Sequence, residues 1–143
     1  MQRFSKKKDL LVEEYIPGRE LTVGILDEKI CGITEIVSGV DFYDYENKYI
    51  NIARHIQNPK LPENIKKKIF DFALRAHNVI GCNCISRSDF RYNPSNNKIY
   101  LLEINTQPGL TENSLLPEMA ETKGINFLKL CEILMKNAKC ERL

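Results

Sequence analysis

Glu103 and Asn105 carry oxygen atoms two residues apart in an otherwise apolar stretch, residues 98–105. The aromatic, leucine-rich and β-branched character of this stretch predicts a β-strand, and Pro108-Gly109 predicts where it stops. Because residues i and i+2 of a strand point to the same face, the two side chains converge. A carboxylate in such a strand is costly unless a cation meets it, and carboxylate and amide oxygens suit Mg²⁺.

A second strand is predicted over residues 84–92, and the turn-forming residues 93–97 join the two strands as a hairpin. The register we expect places Tyr92 opposite Lys98, Asp89 opposite Leu101, and Arg87 opposite Glu103. In this register the charged side chains of both strands share one face with Asn105, and a one-residue slip would separate them. The spacing alone does not distinguish a metal site from a surface hairpin with solvated charges and one Arg–Glu pair.

The composition is that of an ordinary globular domain. The 143 residues are 43% hydrophobic and 28% charged, which fits one domain with a real core. A net charge of +2 does not predict binding to nucleic acid. No apolar stretch approaches the roughly 18 residues of a membrane span, and no signal peptide opens the chain. We therefore expect a cytoplasmic protein without nucleic-acid or membrane partners.

The first part of the chain has the alternation of β-strands. Residues 10–16, 19–26 and 30–37 predict an antiparallel meander joined by tight turns. Residues 38–61 have no sustained period and include three tyrosines and one phenylalanine. Such long loops are usually functional or disordered, and the aromatic content argues against disorder. A mobile lid over a site is the preferred interpretation, with a packed structural loop as the alternative.

Helical spacing follows in the second part. Residues 62–80 place apolar side chains on one stripe, between a proline in the first turn and Gly81 just past the end. His77 on this helix is expected to be partly exposed and not catalytic. Residues 113–121 predict a loop and a short helix. Asn126 then predicts the cap of a last amphipathic helix.

Five blocks of sequence, in a fixed order, carry a resemblance to a known family. They are VEEYIPGRE (12–20), FYDYENKY (42–49), SRSDF (86–90), LEINTQPGLT (102–111) and SLLP (114–117). Together they closely resemble the D-alanine–D-alanine ligases of the ATP-grasp superfamily, over nearly the whole chain. The resemblance implies an α+β fold, the C-terminal subdomain of an ATP-grasp domain, with an antiparallel sheet flanked by helices. It also favours the metal site over the solvated hairpin.

By this resemblance the chain binds ATP with two Mg²⁺ ions, for which Mn²⁺ can substitute. The strand edge made by Glu13, Glu14 and Ile16 would meet the adenine, and Glu20 would bind the ribose hydroxyls. The implied metal ligands are Asp89, Glu103 and Asn105, with Glu103 bridging the two ions.

The resemblance further implies the ATP-dependent joining of two D-alanines through an acyl phosphate, for peptidoglycan and hence the cell wall. Lys48 would contact the transferred phosphate and Tyr49 the substrate side, both from the family's closing loop. Arg87 and the backbone N–H of Gly109 would stabilise the tetrahedral oxyanion, where fixed donors contribute about 3–4 kcal/mol each. The carboxylate of the second D-alanine would be received by Ser114 and Leu115.

Family members are longer, because an N-terminal domain and a central subdomain precede the adenine strand. Residues 1–143 correspond to the C-terminal part, so we expect a fragment that is inactive alone. The expected partners are D-alanine and an N-terminal half present as a separate chain, and a homo-oligomer is also expected. Ser86 and Ser88 depart from the family's usual glycine and apolar residue, and Ser88 is expected to weaken the core face. Two alternatives stay open, another carboxylate–amine ligase such as a D-alanine–D-lactate type, and a non-catalytic degenerate fragment that packs against a partner.

Overall fold

The computed structural model describes residues 11–37 and 54–139, which fold as one sheet with helices on both faces. The elements are β1 (Arg19–Leu26), β2 (Lys29–Val37), β3 (Arg54–Gln57), α1 (Glu63–Ile80), β4 (Ile85–Asn93), β5 (Lys98–Asn105), α2 (Leu115–Glu121) and α3 (Phe127–Asn137). The strands lie in the order β3-β2-β1-β4-β5, and every neighbouring pair is antiparallel. The predicted α+β class with an antiparallel sheet is confirmed.

The first hydrophobic core lies between α1 and one face of the sheet. The central strand β1 contributes Leu21, Val23 and Ile25, all fully buried. The helix contributes Ile65 and Ile69 from its apolar stripe. Because β1 is paired on both edges and covered here by α1, it is the most enclosed strand and fixes the position of its neighbours.

Helices α2 and α3 cover part of the opposite face. Gly24 and Gly32 are paired across β1 and β2 beneath α2. A Cβ on Gly32 would lie 2.9 Å from the Cβ of Met119, and a Cβ on Gly24 would lie 2.6 Å from Cδ1 of Leu116. The absence of side chains at both glycines therefore lets α2 rest on the sheet backbone.

Polar contacts join the edge strand β3 to α2. Thr34 on β2 donates through Oγ1 to Oε1 of Gln57 at 2.8 Å. Nε2 of Gln57 then donates to Oε2 of Glu118 at 3.2 Å, and Nδ1 of His55 lies 2.7 Å from the same oxygen. The Glu118 carboxylate thus links the short helix to the outermost strand on that side.

The predicted helix boundaries agree with the structure. Helix α1 follows Pro62 and ends at Gly81, whose φ of 72° is the left-handed conformation that suits glycine after a helix. The side chain of Asn126 caps α3 by accepting from the N–H of Lys129 at 2.8 Å. None of the helices in the described residues combines the length and the apolar composition needed to cross a membrane.

Two predictions of local structure are wrong. Residues 11–16 were expected as a strand, but they have no regular structure, and Leu11 and Val12 are each 86% exposed. Both edges of β1 already pair with β2 and β4, so β1 offers residues 11–16 no free edge. Residues 54–57 of the predicted loop form β3 because they pair with β2, and residues 58–61 are irregular as predicted. The remaining part of the lid prediction, residues 38–53, lies outside the described residues.

The expectation that His77 is partly exposed is also wrong. Its side chain is buried at 1% exposure, and Nδ1 lies 2.7 Å from Oγ of Ser86. Ser88 lies on the same core face, as expected. Its hydroxyl and Nε2 of His77 are buried without a hydrogen-bond partner among the described residues. Unpaired buried polar atoms cost free energy, so this side of the core is less stable than an apolar one.

Gly32→Ala is expected to lower the free energy of unfolding by about 2 kcal/mol, because the new methyl group collides with the start of the Met119 side chain. Gly24→Ala is the matched comparison. The methyl group added at Gly24 would meet the ends of the Leu116 and Met119 side chains, which can rotate. The loss of stability should therefore be smaller. Urea denaturation of the three proteins measures both losses, and a Gly32→Ala protein as stable as the parent would contradict the close approach of α2.

Acid should destabilise the fold through His77. Burial lowers its pKa below the usual 6.5, so the unfolded chain takes up this proton at a higher pH than the folded chain. The free energy of unfolding should therefore fall as the pH decreases through 6.5 and level off below the folded pKa. Urea denaturation at several pH values should give a shallower dependence for His77→Gln. Identical slopes in the two proteins would refute this source of acid sensitivity.

Candidate functional site

The β4–β5 hairpin brings the predicted charged cluster together in a register that differs from the expected one. Near the turn Asn93 lies opposite Lys98, so the predicted pairing is wrong by one residue. An irregularity between Asp89 and Phe90, of the β-bulge type, then adds a second one-residue shift. Because side chains alternate with a period of two, the two shifts together restore the predicted faces. The pairs at the site are Asp89 with Glu103 and Arg87 with Asn105.

Arg87 and Asp89 form a two-point ion pair on this face. Nε of Arg87 donates to Oδ1 of Asp89 at 3.0 Å, and Nη2 donates to Oδ2 at 2.8 Å. The same Nη2 lies 4.0 Å from Oε1 of Glu103. The hydrogen bond to Asp89 raises the pKa of Arg87, so its guanidinium stays cationic between the two carboxylates.

Thr22 is a further hydrogen-bond partner of Asp89, and it was not predicted from the sequence. It lies directly opposite Asp89 on β1, is fully buried, and donates through Oγ1 to Oδ1 at 2.5 Å. Residue Thr22 belongs to the alternating pattern of β1, but the pairing of β1 with β4 joins strands far apart in sequence. Only that pairing reveals the contact.

The Glu20 side chain lies on the same face, nearer the other end of β1. Burial raises the pKa of Glu20, and the charge of Arg91 opposes that shift, with Nη2 of Arg91 3.7 Å from Oε2 of Glu20. Nη1 of Arg91 also donates to the carbonyl of Gly18 at 2.9 Å. Arg91 was likewise not identified from the sequence, although its position two residues after Asp89 places it on the same face of β4.

A cavity of about 520 Å³ connects Glu20 and Arg91 with Asp89 and Glu103. Its lining includes the predicted nucleotide residues Glu13, Glu14, Ile16 and Glu20, together with Asp89, Arg91, Leu102 and Glu103. Four predicted nucleotide residues therefore share one cavity with two of the three predicted metal ligands, Asp89 and Glu103, whereas Asn105 lies outside its lining.

The loop after β5 assembles the remaining candidates. Oδ1 of Asn105 accepts from the N–H of Gln107 at 2.9 Å, which fixes the orientation of the amide. Oγ of Ser114 accepts from the N–H of Thr111 at 3.1 Å, and it would lie 3.0 Å from a Cβ on Gly109. Gly109 and Ser114 are thus neighbours, and Leu115 begins α2 directly after Ser114.

A family model described as "D-ala D-ala ligase C-terminus" matches residues 1–136. The chain belongs to this family. The D-alanine–D-alanine ligase of Wolbachia pipientis wMel is 50% identical over 131 residues, covering 90% of this chain. The corresponding ligase of Pelagibacter ubique (strain HTCC1062) is 47% identical over 136 residues, covering 94% of this chain. This chain spans only 42% and 44% of the length of these two relatives.

Solved structures of the ligase family have the same fold. The D-alanine–D-alanine ligase from Bacillus anthracis complexed with ATP matches with a TM-score of 0.71 and 27% identity, over 87% of this chain and 38% of that one. The VanG D-Ala:D-Ser ligase from Enterococcus faecalis matches with a TM-score of 0.72 and 28% identity, over 86% of this chain and 37% of that one. The predicted ATP-grasp ligase C-terminal fold is confirmed.

The donor set of this ligase-family chain can be tested against Mg²⁺. Among residues 11–37 and 54–139, no group of three or more His, Cys, Asp or Glu side chains is placed to hold a metal ion. The predicted set has two carboxylates and one amide. Oδ2 of Asp89 and Oδ1 of Asn105 each accept one hydrogen bond, and Glu103 is 67% exposed. Each group therefore retains lone pairs for a hard cation, so the set fits Mg²⁺ or Mn²⁺.

Lys48 and Tyr49, which the family resemblance assigned to the closing loop, lie outside the described residues. Every other predicted site residue lies within them, and the loop after β5 joins the predicted metal ligands to the predicted substrate residues. Asp89, Glu103 and Asn105 mark one end, and Gly109, Ser114 and Leu115 follow within ten residues of Asn105.

Proposed function

We propose that this chain is the C-terminal part of an ATP-grasp domain in a D-alanine–D-alanine ligase that acts in the cytoplasm on cell-wall precursors. The N-terminal and central subdomains would be supplied by an N-terminal half, as a separate chain or as further sequence, and the assembled ligase would be a homo-oligomer. The shared cavity of Glu20, Asp89 and Glu103 supports this proposal best. It brings a ribose-binding candidate and two cation-binding carboxylates to one sheet face.

ATP would lie along the open side of this cavity. Glu13, Glu14 and Ile16 line the cavity on a segment without strand pairing, so their backbone groups are free to meet an adenine. Glu20 offers carboxylate oxygens to the ribose hydroxyls. Arg91 opposes the effect of burial on Glu20 and so favours the ionised, accepting form.

Asp89, Glu103 and Asn105 would hold two Mg²⁺ ions, with Mn²⁺ as an alternative. Bound there, such ions would neutralise the charge that develops on the transferred phosphoryl group. Lys48 would add a further positive charge by the family resemblance. The three oxygen donors lie on adjacent strands β4 and β5, so the sheet holds their spacing rather than a loop.

The amino acid substrates would lie towards the loop after β5. Arg87 and the N–H of Gly109 would stabilise the oxyanion that forms when the second amine attacks the activated carboxyl group. Ser114 and Leu115 would receive the carboxylate of the second D-alanine, and Tyr49 would contact the substrate side. Oγ of Ser114 also lies 2.8 Å from Oγ1 of Thr111, which orients the hydroxyl towards this loop.

A different second substrate is the main alternative, since a solved D-Ala:D-Ser ligase has the same fold. The Lys48-Tyr49 end of the closing loop favours the dipeptide ligase over a D-alanine–D-lactate type. A non-catalytic fragment is a further alternative. Competition between D-alanine, D-serine and D-lactate in the assembled enzyme distinguishes the substrates, and the dipeptide should be the dominant product.

Glu103→Gln is expected to reduce D-alanine-dependent phosphate release by at least about 100-fold in the enzyme assembled with its N-terminal half, because the amide cannot bridge two cations as a carboxylate does. The side chain is exposed, so stability should change little. Glu63→Gln, at an exposed position at the start of α1, is the matched control and should retain full activity. Unchanged turnover of Glu103→Gln at ordinary Mg²⁺ concentrations would reject the metal assignment.

Residues 1–143 alone should release no phosphate in response to D-alanine, because the groups that hold the first substrate would lie in the proposed N-terminal half. Calorimetry with Mg·ATP distinguishes the hypothesis of a catalytic ligase part from that of a non-catalytic fragment. Binding at micromolar concentration would exclude a fragment that has lost nucleotide recognition, and no binding at millimolar concentration would favour that alternative. Clear D-alanine-dependent release by the isolated chain would contradict the role assigned to the missing half.

A further inference from the structure

Thr22 lies where the central strand meets the acidic cluster, and nothing in the proposed chemistry uses it. Its side chain is fully buried and faces Asp89 directly across the β1–β4 pairing. We infer that Thr22 is a positioning residue that holds the Asp89 carboxylate in place for a divalent cation. The inference rests on the proposed function, in which Asp89 is a cation ligand.

The hydrogen bonds of Asp89 divide its two oxygens into different roles. Oδ1 accepts from Oγ1 of Thr22 and from Nε of Arg87, which uses both of its lone pairs. Oδ2 accepts only from Nη2 of Arg87 among the described residues, so one lone pair is left. A cation would therefore bind at Oδ2, and the oxygen that Thr22 holds would face away from it.

Thr22 and Arg87 must respond differently to that cation. A divalent ion at Oδ2 repels the guanidinium of Arg87, which lies 2.8 Å from the same oxygen. The hydroxyl of Thr22 is neutral, so it keeps its hydrogen bond while the cation is bound. When Arg87 moves away, Thr22 is the remaining protein donor to Asp89 in the described part of the chain.

The surroundings of Thr22 make its orientation rigid. A β-branched side chain has restricted rotation, and this one is enclosed between the neighbouring strands β2 and β4. Thr34, its opposite neighbour on β2, is also fully buried but donates its own proton to Gln57. The single hydroxyl proton of Thr22 is therefore committed to Asp89, and Thr34 provides a matched control.

The test is Mn²⁺ binding by the full chain, measured from the free-ion electron paramagnetic resonance signal with and without ATP. Thr22→Val keeps the shape and removes the hydroxyl, and it should weaken Mn²⁺ binding about 10-fold or more. Thr22→Ser keeps the hydroxyl donor, so its affinity for Mn²⁺ should stay within about 3-fold of that of the parent. This change is smaller than the one expected when a hydrogen bond to a metal ligand is lost. Thr34→Val should leave Mn²⁺ binding unchanged although it also removes a buried hydroxyl. Thermal unfolding of each variant reports folding separately.

Parent-like Mn²⁺ binding by Thr22→Val, together with loss of binding by Asp89→Asn, would overturn the role of Thr22 and leave the proposed function intact. Equal weakening by Thr34→Val would also overturn it, since the effect would then be general. No binding by the parent chain at millimolar Mn²⁺ would remove the cation site itself and the proposed function with it. If Thr22→Val fails to fold, Thr22→Ala removes the same hydroxyl without adding a group, and it must show the same weakening.

Discussion

The ion pair of Arg87 with Asp89 is the interaction on which the polar half of the sheet depends. Both side chains are less than one fifth exposed, so neither charge is fully hydrated. A mostly buried carboxylate without a counterion is costly, and the guanidinium supplies that counterion. The cost of removing these charges from solvent is offset by two direct hydrogen bonds and by the hydroxyl of Thr22. In the proposed function, an external cation would replace this internal one as the partner of Asp89.

The two faces of the sheet differ in their side chains: one packs against α1, and the other carries the polar residues of the candidate site. One face is covered by α1 and is largely apolar, although the polar residues His77 and Ser88 are also buried there. The other is covered only in part, by α2 and α3, because the glycines of β1 and β2 admit α2 at one end. Polar side chains occupy the remainder. On β1 and β4 the opposite face is buried, whereas on the edge strand β5 Leu101 stays 46% exposed. The site residues of β1 and β4 thus stand on backbone that the core already holds in place.

Much of this arrangement follows from the sequence, and the exceptions have physical causes. Local signals identified α1, α3 and the hairpin, because helix ends and turns depend on residues close together in the chain. The shared face of Asp89 and Glu103 was also predicted, although the exact register was not, since a bulge has no clear local signal. The burial of His77 and the contact of Thr22 could not be predicted, because each depends on a partner strand chosen by the whole fold.

The irregularity beside Asp89 has a consequence for how this hairpin tolerates change over evolution. On the site side of that position each strand can gain or lose residues only in pairs without turning its oxygens to the opposite face. Leu102 is the residue that this irregularity leaves without a partner, so its deletion would make the ladder regular and keep Glu103 opposite Asp89. Deletion of Ile104, which is paired with Ser88, would instead turn Asn105 to the opposite face. Gaps of odd length should therefore be rare between Glu103 and Asn105 in relatives of this chain, whereas Leu102 and the tip of the turn are freer to vary.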